Sequence, residues 1–383
     1  MRKNKHCLKC CVIGVTLIEL MLVLVIIAVV GMAITGRMLS GIEKAKVLAA
    51  GRQLVSHIRL AQERAKLEQR NITCEFDATN ETYKIYQAGL NFDGNDYVSI
   101  ATSASIDPSG GMGGITLEAW VKPSANTGNW QVVAMKGSTD AEIDYKTETG
   151  EFRLGVTNTS GTGVVFNISS GITTGSWYHL VMTYDGALIK GYVNGSFQSS
   201  QSQTGNVRSS GTGMLLGQYA SSYYINGLIS EVRIYNRALT QEEIQYSYTY
   251  KKPQNRAGLV GWWKLDEGQG TTAYDSSGYG NNGTINGATW AQGVIGYLKD
   301  PAKGYQDINY DFDNLSEFKG VKISSVDFDG STITNSSKFS FDSSGRSKVG
   351  TENLSANGTI VLSCGNHTLT ITVNRVTGEV TIE

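Results

Sequence analysis

From Val15 to Ile34 the chain is apolar apart from Thr16, Glu19 and Gly31. Twenty residues at about 1.5 Å each match the ~30 Å hydrocarbon core of a bilayer, so this pattern predicts a membrane-spanning helix. Beyond it, Ile42, Ala45, Leu48, Ala49, Leu54, Ile58, Ala61, Ala65 and Leu67 recur every three to four positions among polar residues. That spacing continues the same helix as an amphipathic one. A single helix over 15–69 is expected, starting in the bilayer and ending on a folded body. There the period changes to two: Ile72, Cys74 and Phe76 alternate with polar residues, Asp77-Ala78-Thr79-Asn80 supplies a turn, and Tyr83 and Ile85 resume the alternation. This is a hairpin.

Alternating segments fill the rest of the chain. Ile115, Leu117, Ala119 and Val121 are followed by Val164–Ile168, Tyr178–Tyr184, Leu188–Val193 and Leu228–Tyr235. Asn194-Gly195 marks a tight hairpin turn, because both positions accept positive φ. Near the carboxyl end, Phe339 and Phe341, Ile360 to Cys364, Leu369 to Val373, and Val380 with Ile382 read as further strands. Composition agrees with short strands and frequent turns: among 383 residues there are 45 glycines, 4 prolines and only 17% charged residues. A formal net charge of −1 argues against a nucleic-acid partner.

Charge is uneven at the start. Met1 to Gly14 carries Arg2, Lys3, Lys5 and Lys9 and no acid, which predicts a cytoplasmic start and an outward body. Glu19 sits inside the apolar run, where a carboxylate costs roughly 2.5 to 3.5 kcal/mol and needs a partner. The segment Gly14-Val15-Thr16-Leu17-Ile18-Glu19-Leu20 resembles the prepilin signature of type IV pilins and type II secretion pseudopilins. That resemblance implies cleavage by a prepilin peptidase between Gly14 and Val15, N-methylation of Val15, and pairing of Glu19 with a neighbouring subunit's terminal amine. Neutralising two buried charges in this way suits assembly. Removing the leader leaves 29 basic and 34 acidic residues, a net charge of −5. The expected location is single-pass in the inner membrane, with the body outside and assembled with other pilin or pseudopilin subunits.

Segments 71–87 and 297–383, with the helix, resemble an H-type minor pseudopilin, through Phe341-Asp342-Ser343-Ser344-Gly345 and Thr377-Gly378-Glu379-Val380. Residues 88–296 then form an inserted domain. Its segments Ile115–Pro123, Trp177–Gly186 and Gly227–Leu239 resemble the laminin-G-like, concanavalin-type jelly roll. The expected fold class is an α+β pilin with an inserted all-β sandwich. Leu259-Val260-Gly261-Trp262-Trp263 and the loop Asp275–Thr284 look like the opening strand and loop of such a jelly roll, standing after it. They read as a truncated tandem copy or as a circular permutation, and permutation is preferred because it fills an open sheet edge.

Four sets of residues carry candidate chemistry. Asp275, Asn281 and Asn282, with Glu231 by resemblance, suit a calcium ion held by carboxylate, amide and backbone oxygens. Cys74 and Cys364, the cysteines outside the leader, read either as a disulfide or as two separate buried thiols. Glu142, Asp144 and Glu148 are similar to a glycosidase strand motif, but the last two are separated by three residues and Lys146 stands in the third acid's place. Since side chains six apart on a strand lie ~20 Å away from one another, no catalytic residue is assigned. Exposed tyrosines such as Tyr223, Tyr224, Tyr246, Tyr248 and Tyr250 could stack on sugar rings or pack within the fold. The functional expectation is a filament subunit displaying a non-catalytic module for a glycan or surface protein. The alternative is a secretion pseudopilin whose module touches exported substrate; a glycoside hydrolase is more remote.

Overall fold

The structure is a computed structural model that describes residues 17–383, except 221, 292–298, 301–305, 313, 329–330, 334–335 and 350–351. Gly14 and Val15 lie outside the described residues. Helix α1 (Leu17–Glu68) is unbroken for 52 residues. Its first part exposes Leu17, Leu20, Leu24, Ile27 and their neighbours, whereas Val47, Ala50, Leu54, Ile58, Ala61 and Ala65 are buried. The apolar residues of the first half are therefore not covered by other described residues, and this apolar surface fits a bilayer.

The second half of α1 packs on two antiparallel sheets that share one core with it. Strands β1 (Ile72–Asp77) and β2 (Thr82–Tyr86) form the expected hairpin, and β1 also pairs with Ser336–Phe341. The other sheet runs Ser331–Ile333, Lys322–Phe328, Gly358–Cys364, His367–Val373 and Val380–Ile382. Cys74 and Cys364 belong to different sheets and are free, buried thiols rather than a pair. Burial pushes the Cys74 thiol well above its ordinary range, which keeps it protonated and unreactive.

Between β2 and the later strands of that domain stands a two-sheet sandwich. In chain order it comprises β3 (Gly89–Asp93), β4 (Tyr97–Ile100), β5 (Ile115–Pro123), β6 (Gln131–Lys136), β7 (Ala141–Lys146), β8 (Glu151–Thr157) and β9 (Gly163–Ser169). There follow β10 (Tyr178–Tyr184), β11 (Leu188–Val193), β12 (Ser196–Ser202), β13 (Met214–Leu216), β14 (Asn226–Tyr235), helix α2 (Gln241–Tyr250), β15 (Leu259–Trp263), β16 (Thr272–Ala273), β17 (Gly283–Asn286) and β18 (Thr289–Ala291). One sheet has the order β12-β11-β10-β5-β14-β3-β18, with β15 also on β14; the other is β16-β17-β4-β13-β6-β7-β8-β9. Asn194 and Gly195 both take positive φ, at 51° and 78°, in the turn between β11 and β12.

The late segment closes the sandwich. β14 is long enough to pair β3 at its start, through Ile229 opposite Leu90, and β15 at its end, through Val232 opposite Trp263. β17 pairs β4, and β18 pairs β3 with Ala291 opposite Gly89. Val260, Trp263, Leu265, Ala273 and Ile285 enter the same apolar core as the earlier strands. The two ends of the sandwich are thus neighbouring antiparallel strands, the arrangement that a domain placed within a loop requires.

Candidate functional site

Alternation along β7 decides where its acids go. Ile143 and Tyr145 enter the sandwich core, so Glu142 and Asp144 face the other side of the sheet. Directly opposite Asp144 on β8 stands Arg153, whose Nε donates to Asp144 Oδ2 at 2.5 Å. The indole of Trp130 lies 4.4 Å from the Arg153 guanidinium. Gly155 stands opposite Glu142, and a Cβ there would come within 2.7 Å of Glu142 Oε1. The glycine therefore makes the room that the buried carboxyl occupies.

Two carboxyls here share one guanidinium. Burial, reinforced by the neighbouring Glu142, pushes Asp144 up to about 8, and burial raises Glu142 as well. The pair therefore retains a proton at neutral pH. Asp144 Oδ1 has no hydrogen-bond partner among the described residues. Glu148 does not join them: it lies beyond the strand, 3.2 Å from Lys146 Nζ. The geometry provides hydrogen-bonding groups beside an aromatic ring, and the further acid on this face, Glu151, stands opposite Lys146 and accepts from the Thr149 hydroxyl. Nearby, Gly217 N donates to Val133 O and Asn226 N to Gln131 Oε1, which ties a tyrosine-rich loop to the start of β6. That loop carries Tyr219 and Tyr223, whose rings stack at 6.3 Å, and Tyr224, bonded to Gln218.

The residues expected to hold calcium do other work. Asp275 accepts from the backbone N–H groups of Trp262, Ser277 and Asn281 and from the Ser277 hydroxyl. Asn282 Oδ1 accepts from Asp275 N, and Asn281 Nδ2 donates to Ser105 and Val260. Hydrogen bonds already close this loop. Glu231 is bound to Arg70 at 2.9 Å, to Arg233 at 2.5 Å and to the Trp262 indole N–H. Among the described residues no group of three or more His, Cys, Asp or Glu is placed to hold a metal. The donor set does not fit calcium as the sequence had suggested, because cations and N–H donors occupy its oxygens.

Glu231 instead forms the joint between the two domains, which no sequence spacing pointed to. Arg70, two residues past α1 and 1% exposed, donates to Glu231, to Ser230 O at 2.7 Å and to Lys264 O at 3.0 Å. Asn71 adds bonds from its N–H and its amide to Asp266. Behind this joint, Glu118 is held at about 2: burial would raise it, but Arg233 and His179 outweigh that cost. His179 bonds to Glu118 at 2.7 Å, stacks 4.6 Å from Trp120, and is lowered by burial.

Residues 92–245 match the family model described as the concanavalin A-like lectin/glucanases superfamily. The chain carries a concanavalin-like jelly-roll domain. No curated protein sequence matches the chain. Solved structures similar to the jelly roll include a candidate carbohydrate-binding protein from Bacteroides ovatus, at 20% identity and a TM-score of 0.45 over 54% of this chain. The chain spans 60% of that protein's length. Another is the CBM40 domain of Ruminococcus gnavus IT-sialidase bound to α2,3 sialyllactose, at 15% identity and a TM-score of 0.34, covering 42% of this chain and 95% of the domain. A third is the SAP-like pentraxin of Limulus polyphemus, at 15% identity and a TM-score of 0.30, covering 47% of this chain and 82% of the pentraxin.

Proposed function

We propose that this chain is a membrane-tethered, prepilin-type filament subunit that presents a non-catalytic glycan-binding jelly roll outside the membrane. The observation that carries this reading is the placement of the lectin-like sandwich: it is set into a small α+β domain at the far end of a 52-residue helix whose first half is apolar and exposed. A helix of this kind anchors and spaces, and the sandwich is what remains to meet a ligand. Arg153 and Trp130, partly exposed above the buried Glu142 and Asp144, place a hydroxyl-bonding guanidinium beside a ring, a combination suited to sugars. A bulky insertion is hard to repeat at every position of a tight helical fibre, so a tip or sparse location follows.

The prepilin reading rests on Gly14 to Leu20 and assigns cleavage between Gly14 and Val15, methylation of Val15, and an assembly role for Glu19. Its test is intact mass of the chain co-expressed with a prepilin peptidase. The expected product begins at Val15 with one added methyl group. A chain that keeps residues 1–14 in the presence of active peptidase would contradict the assignment. Glu19→Val is expected to be processed normally yet to fail to enter filaments, which separates assembly from cleavage.

A further inference from the structure

Helix α2 is fixed firmly from one side and left open on the other. Thr240 caps it with a reciprocal capping box to Glu243, whose carboxylate takes two bonds from Arg237 at 2.8 and 2.6 Å. Ile244 and Ser247 are buried beneath it, and the Ser247 hydroxyl donates to Glu118 at 2.5 Å. Tyr248 lies parallel to Trp120 with ring centres 5.6 Å apart, and Lys251 closes the last turn in the left-handed conformation. These contacts, with Gln241 Nε2 donating to Gly195 O at 2.7 Å, immobilise the helix and leave Tyr246 and Tyr250 on its outward side. There Gln241, Gln245, Tyr246, Thr249 and Tyr250, with Gln254 beyond the helix end, line an open groove of about 540 Å³.

The chemistry of that groove is selective. Tyr246 and Tyr250, four residues apart, place their ring centres 4.5 Å from one another at a 42° tilt, and Tyr250 is 54% exposed. Around the rings stand three side-chain amides and a hydroxyl. The one charged lining group is Glu242, and no lining residue is cationic. A cluster of flat rings and neutral donors and acceptors complements a ligand with C–H faces and many hydroxyls. An anionic sugar would meet a carboxylate with no compensating cation. The volume lies within the range of small-molecule sites, and the rigid helix supplies preorganisation.

We infer that the outward groove of α2 is a saccharide subsite for neutral sugars, separate from the sheet face that carries Glu142 and Asp144. The inference rests on the glycan-binding reading for its ligand class and adds the location and the charge preference. Its test is titration calorimetry of the full chain in a detergent without sugar headgroups, using maltotriose, cellotriose and 3′-sialyllactose. At least one neutral trisaccharide is expected to bind in preference to the sialylated one. Tyr246→Ala and Tyr250→Ala are each expected to weaken that binding about tenfold or more, since each removes a ring from the contact. Tyr250→Phe should retain it within about threefold, and Tyr279→Ala, an exposed ring outside both sites, should leave it unchanged. An unchanged melting profile for each variant shows that the fold is intact. Neutral binding that survives both alanine substitutions, preference for sialyllactose, or no binding of either trisaccharide overturns the inference. Binding of other glycans in those cases leaves the broader reading standing; absence of all glycan binding removes both.

Discussion

Replacing Arg70 by alanine is expected to uncouple the jelly roll from its anchor. The guanidinium is buried and makes three hydrogen bonds across the joint, to Glu231, Ser230 O and Lys264 O, with Asp266 at 3.8 Å. Removing one partner of a buried ion pair costs roughly 3 to 5 kcal/mol. Here the low end applies, because Glu231 keeps Arg233 and Trp262 and Asp266 keeps Asn71. What is left unpaired is two backbone carbonyls, so the loss is about 3 kcal/mol. For a domain of 150–250 residues that corresponds to a fall of about 6–12 °C in Tm. Scanning calorimetry of the full chain should show this fall in the jelly-roll transition and its separation from the transition of the helix-linked domain. Arg70→Lys keeps the charge but loses the fork, and is expected to fall between the two. A melting profile for Arg70→Ala within about 1 °C of the original would refute the view that this residue joins the domains.

The acid pair makes a pH prediction. Folded Asp144 and Glu142 are raised above their unfolded values, so the stability they contribute is complete at low pH and declines as pH rises toward about 8. Asp144→Asn should flatten the fall in Tm between pH 5 and pH 8, and parallel profiles for the two proteins would count against proton retention. Calcium at about 1 mM, a concentration that fills weak extracellular sites, is expected to leave Tm unchanged relative to chelator; a rise abolished by Asp275→Asn would restore a calcium site to the 275–282 loop. Cys74 should resist alkylation in the native protein and react only on unfolding. Rapid native labelling would show that its core position is wrong.

Much of the architecture was legible because alternation and turn chemistry are local. Ile72 to Ile85, Leu228 to Tyr235 and Asn194-Gly195 declare a face or a turn within a few residues, and each forms as its pattern requires. α2 was less visible. Its ten residues contain one aliphatic side chain, Ile244, so there is little apolar periodicity to find; the signal present was the capping box from Thr240 to Glu243. The joint was invisible for a different reason. Arg70 and Glu231 are 161 positions apart, and a single arginine after a helix has no pattern that names its partner. Glu231 and Asp275 drew attention as oxygen donors, and the structure gives those oxygens to Arg70, Arg233 and backbone N–H groups. The Glu142 and Asp144 pair was legible as a motif, yet its half-buried partner Arg153 emerged only from the register of β7 with β8.

The central claim is that the sandwich recognises sugars without cleaving them. Its most direct test is a glycan array probed with the full chain in a detergent without sugar headgroups, followed by product analysis of each bound glycan after prolonged incubation. The account predicts saturable binding to a restricted set of glycans, recovered intact. Absence of binding across the array, or recovery of cleaved products that disappear with Glu142→Gln, would contradict it.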